Sequence, residues 1–218
     1  MAFHSVNGGQ GSDVAIRDVE KMCEHLESGG IVLLPTETGY LLGVDGTNTD
    51  AVDHLFRVKG RAPDHSVSLA VADVAMAKRF GRLDSFACAL LSKWSPGPLT
   101  IVVSKGNADL SPSLSRGSTI GLRIPDHRFT LEVLRVLNRP ITATSANRSG
   151  SAPKQQLFQI VQELDPYVEG DWLGVKDDMR KYDKPSTIVR IQESVEILRE
   201  GPISEAEILA AKRISDQS

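Results

Sequence analysis

The residues with the most chemistry to offer sit in five short motifs. Pro35–Thr36–Glu37–Thr38 follows an apolar run, and Lys59–Gly60–Arg61 stands between a helical pattern and a strand. Ser95–Pro96–Gly97–Pro98–Leu99–Thr100 is a rigid turn leading into a strand, Arg123 precedes Ile124–Pro125, and Thr144–Ser145–Ala146–Asn147 ends a further apolar run. Lys59, Arg61, Arg123 and Arg199 bring positive charge, and the arginine fork matches the paired oxygens of a carboxylate or phosphate. Thr36, Thr38, Ser145 and Asn147 add short, directional hydrogen bonds. No Ser-His-Asp arrangement is evident, and the histidines at 4, 25, 54, 65 and 127 are scattered without metal-ligand spacing. A set that is cationic and hydroxyl-rich suits phosphate and carboxylate recognition. It would act by positioning and electrostatics rather than through a covalent intermediate.

Each motif alone has a structural explanation: Pro-Gly-Pro as a turn, Lys-Gly-Arg as a solvated loop, Ser or Asn at a strand end as a helix cap. Their shared placement at element ends is what suggests one site, because ligands of α/β sheets bind beyond the carboxyl ends of strands. The pattern predicts helices beginning at Ser12 and Asp50, and others over 85–93, 129–137 and 155–164. Strands are expected over 31–34, 40–44, 67–72, 99–104, 119–124 and 141–144, with a hairpin over 187–191 and 195–199. Ser204 with Glu207 forms a capping box for a last helix. Several strand connections are too short for a helical crossover, so the expected class is α/β with a mixed sheet. Residues 1–11 read as a flexible leader, 12–203 as one catalytic domain and 204–218 as a C-terminal helix and tail; 165–185 reads as a long loop.

The bulk properties bound the function. A chain of 218 residues that is 40% hydrophobic and 24% charged buries a substantial core. Net charge is -3, which excludes a broad basic field but leaves room for a local basic groove among 25 Lys and Arg. Cys23 and Cys88 form no C-x-x-C pair and read as buried, reduced thiols. With no apolar stretch near 18 residues and no signal-peptide pattern, a cytoplasmic protein away from membranes is expected.

Taken together the motifs resemble a known family. Pro35–Thr36–Glu37–Thr38–Gly39–Tyr40 is similar to its PTET-x-Y segment, Lys59–Gly60–Arg61 to K-x-R, and Pro96–Gly97–Pro98–Leu99–Thr100 to PGPxT. Arg123–Ile124–Pro125 is similar to R-x-P, and Ser145–Ala146–Asn147–Arg148–Ser149–Gly150 to SAN-x-SG. These are marks of the YrdC-like threonylcarbamoyl-AMP synthases in their single-domain form, and they occur in the family's order along nearly the whole chain.

The resemblance implies a twisted mixed parallel/antiparallel sheet with flanking helices and a concave basic face. It implies synthesis of L-threonylcarbamoyladenylate from L-threonine, bicarbonate and ATP, with pyrophosphate released. That product would serve N6-threonylcarbamoyladenosine formation at tRNA position 37, through separate transfer proteins. By the same resemblance Thr36, Arg61, Arg123 and Ser186 bind threonine, and Lys59, Thr119, Ser145, Asn147 and Arg199 bind the nucleotide. Lys59 and Arg61 stabilise the developing charge, and Mg2+ arrives on the triphosphate without a protein ligand set of its own. The sequence departs from the family at Gly39, Leu41 and Ser66, where Leu41 replaces a glycine beside the amino-acid pocket. A paralogue acting on another amine is therefore one alternative. An RNA-binding protein of the same fold is another, although only 5% of residues are aromatic and none interleaves with the Lys/Arg motifs.

Overall fold

A computed structural model of the chain describes residues 2–7, 15–60, 67–114, 117–178 and 180–215. Among them are ten strands in one mixed sheet, ordered β1-β8-β2-β3-β7-β4-β6-β5-β9-β10, with seven α-helices. The strands are β1 (Phe3–Asn7), β2 (Val32–Thr36), β3 (Gly39–Gly43), β4 (Ser68–Ala70), β5 (Leu99–Ser104), β6 (Thr119–Arg123), β7 (Ile141–Ser145), β8 (Trp172–Lys176), β9 (Thr187–Ile191) and β10 (Val195–Arg199). The helices are α1 (Ile16–Glu27), α2 (Thr49–Lys59), α3 (Val74–Phe80), α4 (Ser85–Trp94), α5 (Arg128–Leu137), α6 (Leu157–Leu164) and α7 (Glu205–Ser215).

The hydrophobic pattern explains the core. α1 buries Val19, Met22, Cys23 and Leu26, and α5 buries Phe129, Val133, Leu134 and Leu137. These stripes recur at helical spacing, so the two helices pack together, and Cys23 Sγ lies 3.7 Å from the Val133 carbonyl. Burial and the neighbouring Glu27 push the Cys23 thiol up to about 11, which makes it a packing group rather than a nucleophile. Strand alternation sorts the other half of the sheet. Ile101, Val103, Ile120, Leu122 and Val189 are buried on the side where α3 and α4 pack, while Ser68, Thr100, Arg123 and Ile188 face an open cleft on the other.

Several expectations need correction. Phe3–Asn7, read as part of a flexible leader, is an edge strand paired in parallel with Trp172–Lys176. Its partner β8 lies inside the stretch read as a loop, and sits between β1 and β2. Phe3 packs edge-on against Trp172, with ring centroids 5.0 Å apart. The cap of α2 is Asn48, whose side chain accepts from the Ala51 N–H, and Asp50 belongs to the first turn. Ser12 lies outside the described residues, and the described part of α1 starts at Ile16. The capping box at Ser204 and Glu207 is present, with mutual bonds of 2.9 and 3.4 Å. No described helix is long and apolar enough to cross a membrane.

Candidate active site

The site grows from strand ends. β2 runs two residues further than its apolar run, so Thr36 pairs with Gly39 across a turn made of Glu37 and Thr38. Thr36 Oγ1 accepts from the Thr38 N–H at 3.2 Å and donates to the Gly39 carbonyl at 2.7 Å, the local bonding that suits threonine to turns. Gly39 has φ of +121°, a backbone that a β-branched residue adopts only with strain and glycine adopts freely.

This turn folds Glu37 inward, where its side chain is 0% exposed. Oε1 accepts from Arg123 Nη2 at 2.7 Å, and Oε2 accepts from the Asp126 N–H at 2.8 Å. Arg123 Nη2 also donates to Thr38 Oγ1 at 2.7 Å. The guanidinium at the end of β6 is thus fixed by the β2–β3 turn before any ligand arrives. Its Nε is buried and has no hydrogen-bond partner among the described residues. A buried donor left unpaired is costly, and a ligand oxygen would relieve it.

Beside it, Thr100 stands opposite Arg123 in the β5–β6 pair and shares a 2.9 Å hydrogen bond with Ser186. Arg199 donates through Nε and Nη2 to the Ser186 carbonyl at 3.0 and 2.8 Å. Partial burial and the charge of Arg123 hold the Arg199 guanidinium below its ordinary pKa. Two arginines therefore repel each other across one pocket, and an anion between them would stabilise both.

The third corner joins two motifs into one unit. Lys59 Nζ, buried at the end of α2, donates to the carbonyls of Ser145 at 2.5 Å and Asn147 at 2.6 Å. Asn147 Nδ2 donates to the carbonyls of Arg148 at 2.9 Å and Ser151 at 2.6 Å, so the loop after β7 closes on itself. Gly60 ends α2 in the left-handed region, and a Cβ there would come within 2.5 Å of the Arg148 guanidinium. That guanidinium donates to the Val58 carbonyl at 2.8 Å and lies 3.9 Å over the Tyr167 ring, capping the helix C-terminus.

Thr36, Arg123, Ser145, Ser186 and Arg199 line one cleft of about 600 Å³. Lys59 and Asn147 are buried, behind the residues that line it. Thr119 starts β6, four positions from Arg123 and opposite Ser104, about 13 Å away along the strand. It shares Arg123's face of the strand but is not part of the lining. Arg61 and Ser66 lie outside the described residues. Sequence reasoning gave Glu37 no role of its own and passed over Ser68, Lys154, Arg180 and Asp183, which also line the cleft. For Glu37 a signal exists, an acidic residue in a short turn between apolar strands, where its charge needs a buried partner. Ser68 starts the short strand β4, and Lys154, Arg180 and Asp183 occupy loops without a motif.

Comparison with known proteins bears on the family and the fold. The family model described as "Telomere recombination", covering Sua5, YciO and YrdC proteins, matches residues 24–201. A threonylcarbamoyl-AMP synthase of Bacillus subtilis (strain 168) is 30% identical over 209 residues, covering 88% of this chain. The chain spans 58% of that relative's length. The Pyrococcus abyssi Sua5 structure solved with L-threonine superposes with a TM-score of 0.86 at 23% identity, over 97% of this chain and 61% of that one. Escherichia coli YciO gives 0.82 at 21% identity, over 95% of this chain and 98% of that one. The mixed open sheet with its flanking helices is the fold of these structures. The chain belongs to the Sua5/YciO/YrdC family.

Proposed function

We propose that the chain makes L-threonylcarbamoyladenylate from L-threonine, bicarbonate and ATP. The observation that carries this reading is the convergence of Arg123 and Arg199, with the hydroxyls of Thr36, Thr100, Ser145 and Ser186, on one cleft. The threonine nitrogen takes up carbon dioxide from bicarbonate to give a carbamate and water. A carbamate oxygen then attacks the α-phosphorus of ATP, and pyrophosphate leaves. Arg123, fixed by Glu37, binds the threonine carboxylate, with Thr36 and Ser186 beside it. Arg199, Ser145 and the loop that Lys59 and Asn147 hold bind the nucleotide, and Thr119 meets a nucleotide extended along the β6 face. Arg61 stabilises charge at the reacting phosphate, and Lys59 acts there through the loop after β7 that its ammonium holds.

The cleft donors are guanidinium, ammonium and hydroxyl groups, with Asp183 the carboxylate in the lining, a set that fits phosphate oxygens rather than direct magnesium ligation. Mg2+ enters bound to the triphosphate and water. The product supplies tRNA modification at position 37 through separate transfer proteins, in the cytoplasm. One observation favours a second reading, in which the amine is not threonine: Leu41, standing opposite Ser145, puts a branched side chain into the lining where the family carries glycine. Pyrophosphate release with ATP, Mg2+, bicarbonate and a panel of amino acids decides between them. Release that needs both threonine and bicarbonate is expected; none with threonine would rule the first reading out.

A further inference from the structure

Residues 177–178 and 180–186 run along the cleft wall, and the family's motif residues pin them. The Tyr40 hydroxyl accepts from the Asp177 N–H at 2.8 Å and donates to Asp178 Oδ1 at 3.1 Å. The Glu37 carbonyl accepts from the N–H groups of Lys181 and Tyr182 at 2.9 and 3.0 Å. Lys181 Nζ, on the outer side, pairs with Asp126 at 2.6 Å. With the backbone held on either side, Arg180 turns into the cleft lining and is only 24% exposed, against 63% for Lys181.

The contrast between arginine partners is informative. Arg123 is held by a carboxylate that is 0% exposed, and Arg199 donates to a main-chain carbonyl. Arg180 is held through Nη2 by Asp183 at 2.7 Å, and that carboxylate is 90% exposed. An ion pair to a water-exposed carboxylate three residues away is weak and easily exchanged. Lys154 lines the same cleft from the loop after β7, adding a second cation.

We infer that Arg180 is a substrate-binding residue that exchanges Asp183 for an oxyanion of the bound substrates. Asp183 occupies the guanidinium until that oxyanion arrives, and competes with it. The inference rests on the proposed reaction for the identity of the ligands. Phosphate and carboxylate share the chemistry a guanidinium fork recognises, so both sources are tested.

The test is calorimetric binding, without turnover, of a non-hydrolysable Mg·ATP analogue and of L-threonine to the wild type, Arg180→Gln, Asp183→Asn and the double variant. Arg180→Gln is expected to weaken one of the two ligands about tenfold, which identifies the oxyanion as phosphate or carboxylate. Asp183→Asn is expected to tighten that ligand two- to threefold, and the double variant to match Arg180→Gln. Affinities unchanged by Arg180→Gln, or Asp183→Asn weakening binding as Arg180→Gln does, would overturn the inference and make the pair structural. Wild-type protein that binds both ligands here yet releases no pyrophosphate with ATP, bicarbonate and threonine would sink the proposed reaction and leave the exchange to the variants. Wild-type protein that binds neither would sink both.

Discussion

Two arginines face the same cleft and are held in opposite ways. Arg123 is clamped by Glu37, whose carboxylate is fully buried and also takes the Asp126 N–H. Arg180 is tethered by Asp183, which is almost wholly in water. The first arrangement fixes a guanidinium before binding, so little order is lost when a carboxylate arrives. The second leaves a guanidinium that changes partner at small cost. One side of the cleft is built into the sheet and the other is adjustable.

Breaking the buried clamp should have the largest effect. Glu37→Ala leaves Arg123 without its counter-charge and the Asp126 N–H unbonded, and should cost roughly 3–5 kcal/mol of stability in denaturant unfolding. Asp183→Ala should cost less than about 1 kcal/mol in the same assay. Equal costs would erase the distinction between the two sides.

Arg123→Lys keeps the charge and loses the fork. It should raise the amino-acid KM about 10–100-fold with the ATP KM nearly unchanged. A parallel rise in both would place Arg123 on the nucleotide instead. Leu41→Ala removes three carbons from the lining, and should shift kcat/KM toward bulkier amino acids by at least about tenfold, since a single methylene can do as much in a tight pocket. An unchanged preference profile would show that Leu41 does not shape the amine pocket.

The smallest effect lies outside the cleft. His25, its Nε2 3.2 Å from the Ile31 carbonyl, and His54 are both held below 6.5 in the fold, chiefly by burial. Their unfolded forms take up protons first as pH falls. The stability they contribute is therefore complete above about 6.5 and lost as pH drops below it. Melting midpoints at pH 7.5 and 5.5 should differ less in His25→Gln than in the wild type, with activity at pH 7.5 unaltered.

How far the sequence foretold this depends on the element. β5, β9 and β10 were legible to the residue because β-branched runs bounded by turn residues leave little choice. β8 was not, because Trp172–Val175 is a short apolar run among Asp, Gly and Lys, and becomes a strand only through β1 and β2 on either side. β1 was hidden for the same reason, with a glycine-rich stretch just after it. In the cleft, Thr36, Arg123 and Ser145 were readable from motifs at strand ends, while Ser186 and the role of Arg199 came from the family resemblance. Glu37 as a clamp and Arg180 as a lining residue were not, since both depend on how distant loops meet. Lys59 was placed at the reacting phosphate, yet in this structure its ammonium holds the loop after β7.

The most direct measurement follows the carbon. With [14C]bicarbonate, ATP, Mg2+ and L-threonine, the wild type should yield a labelled adenylate whose mass equals threonine, carbonyl and AMP combined, and Arg123→Ala should yield none above background. Labelled adenylate from Arg123→Ala at the wild-type rate, or none from the wild type, would contradict the account.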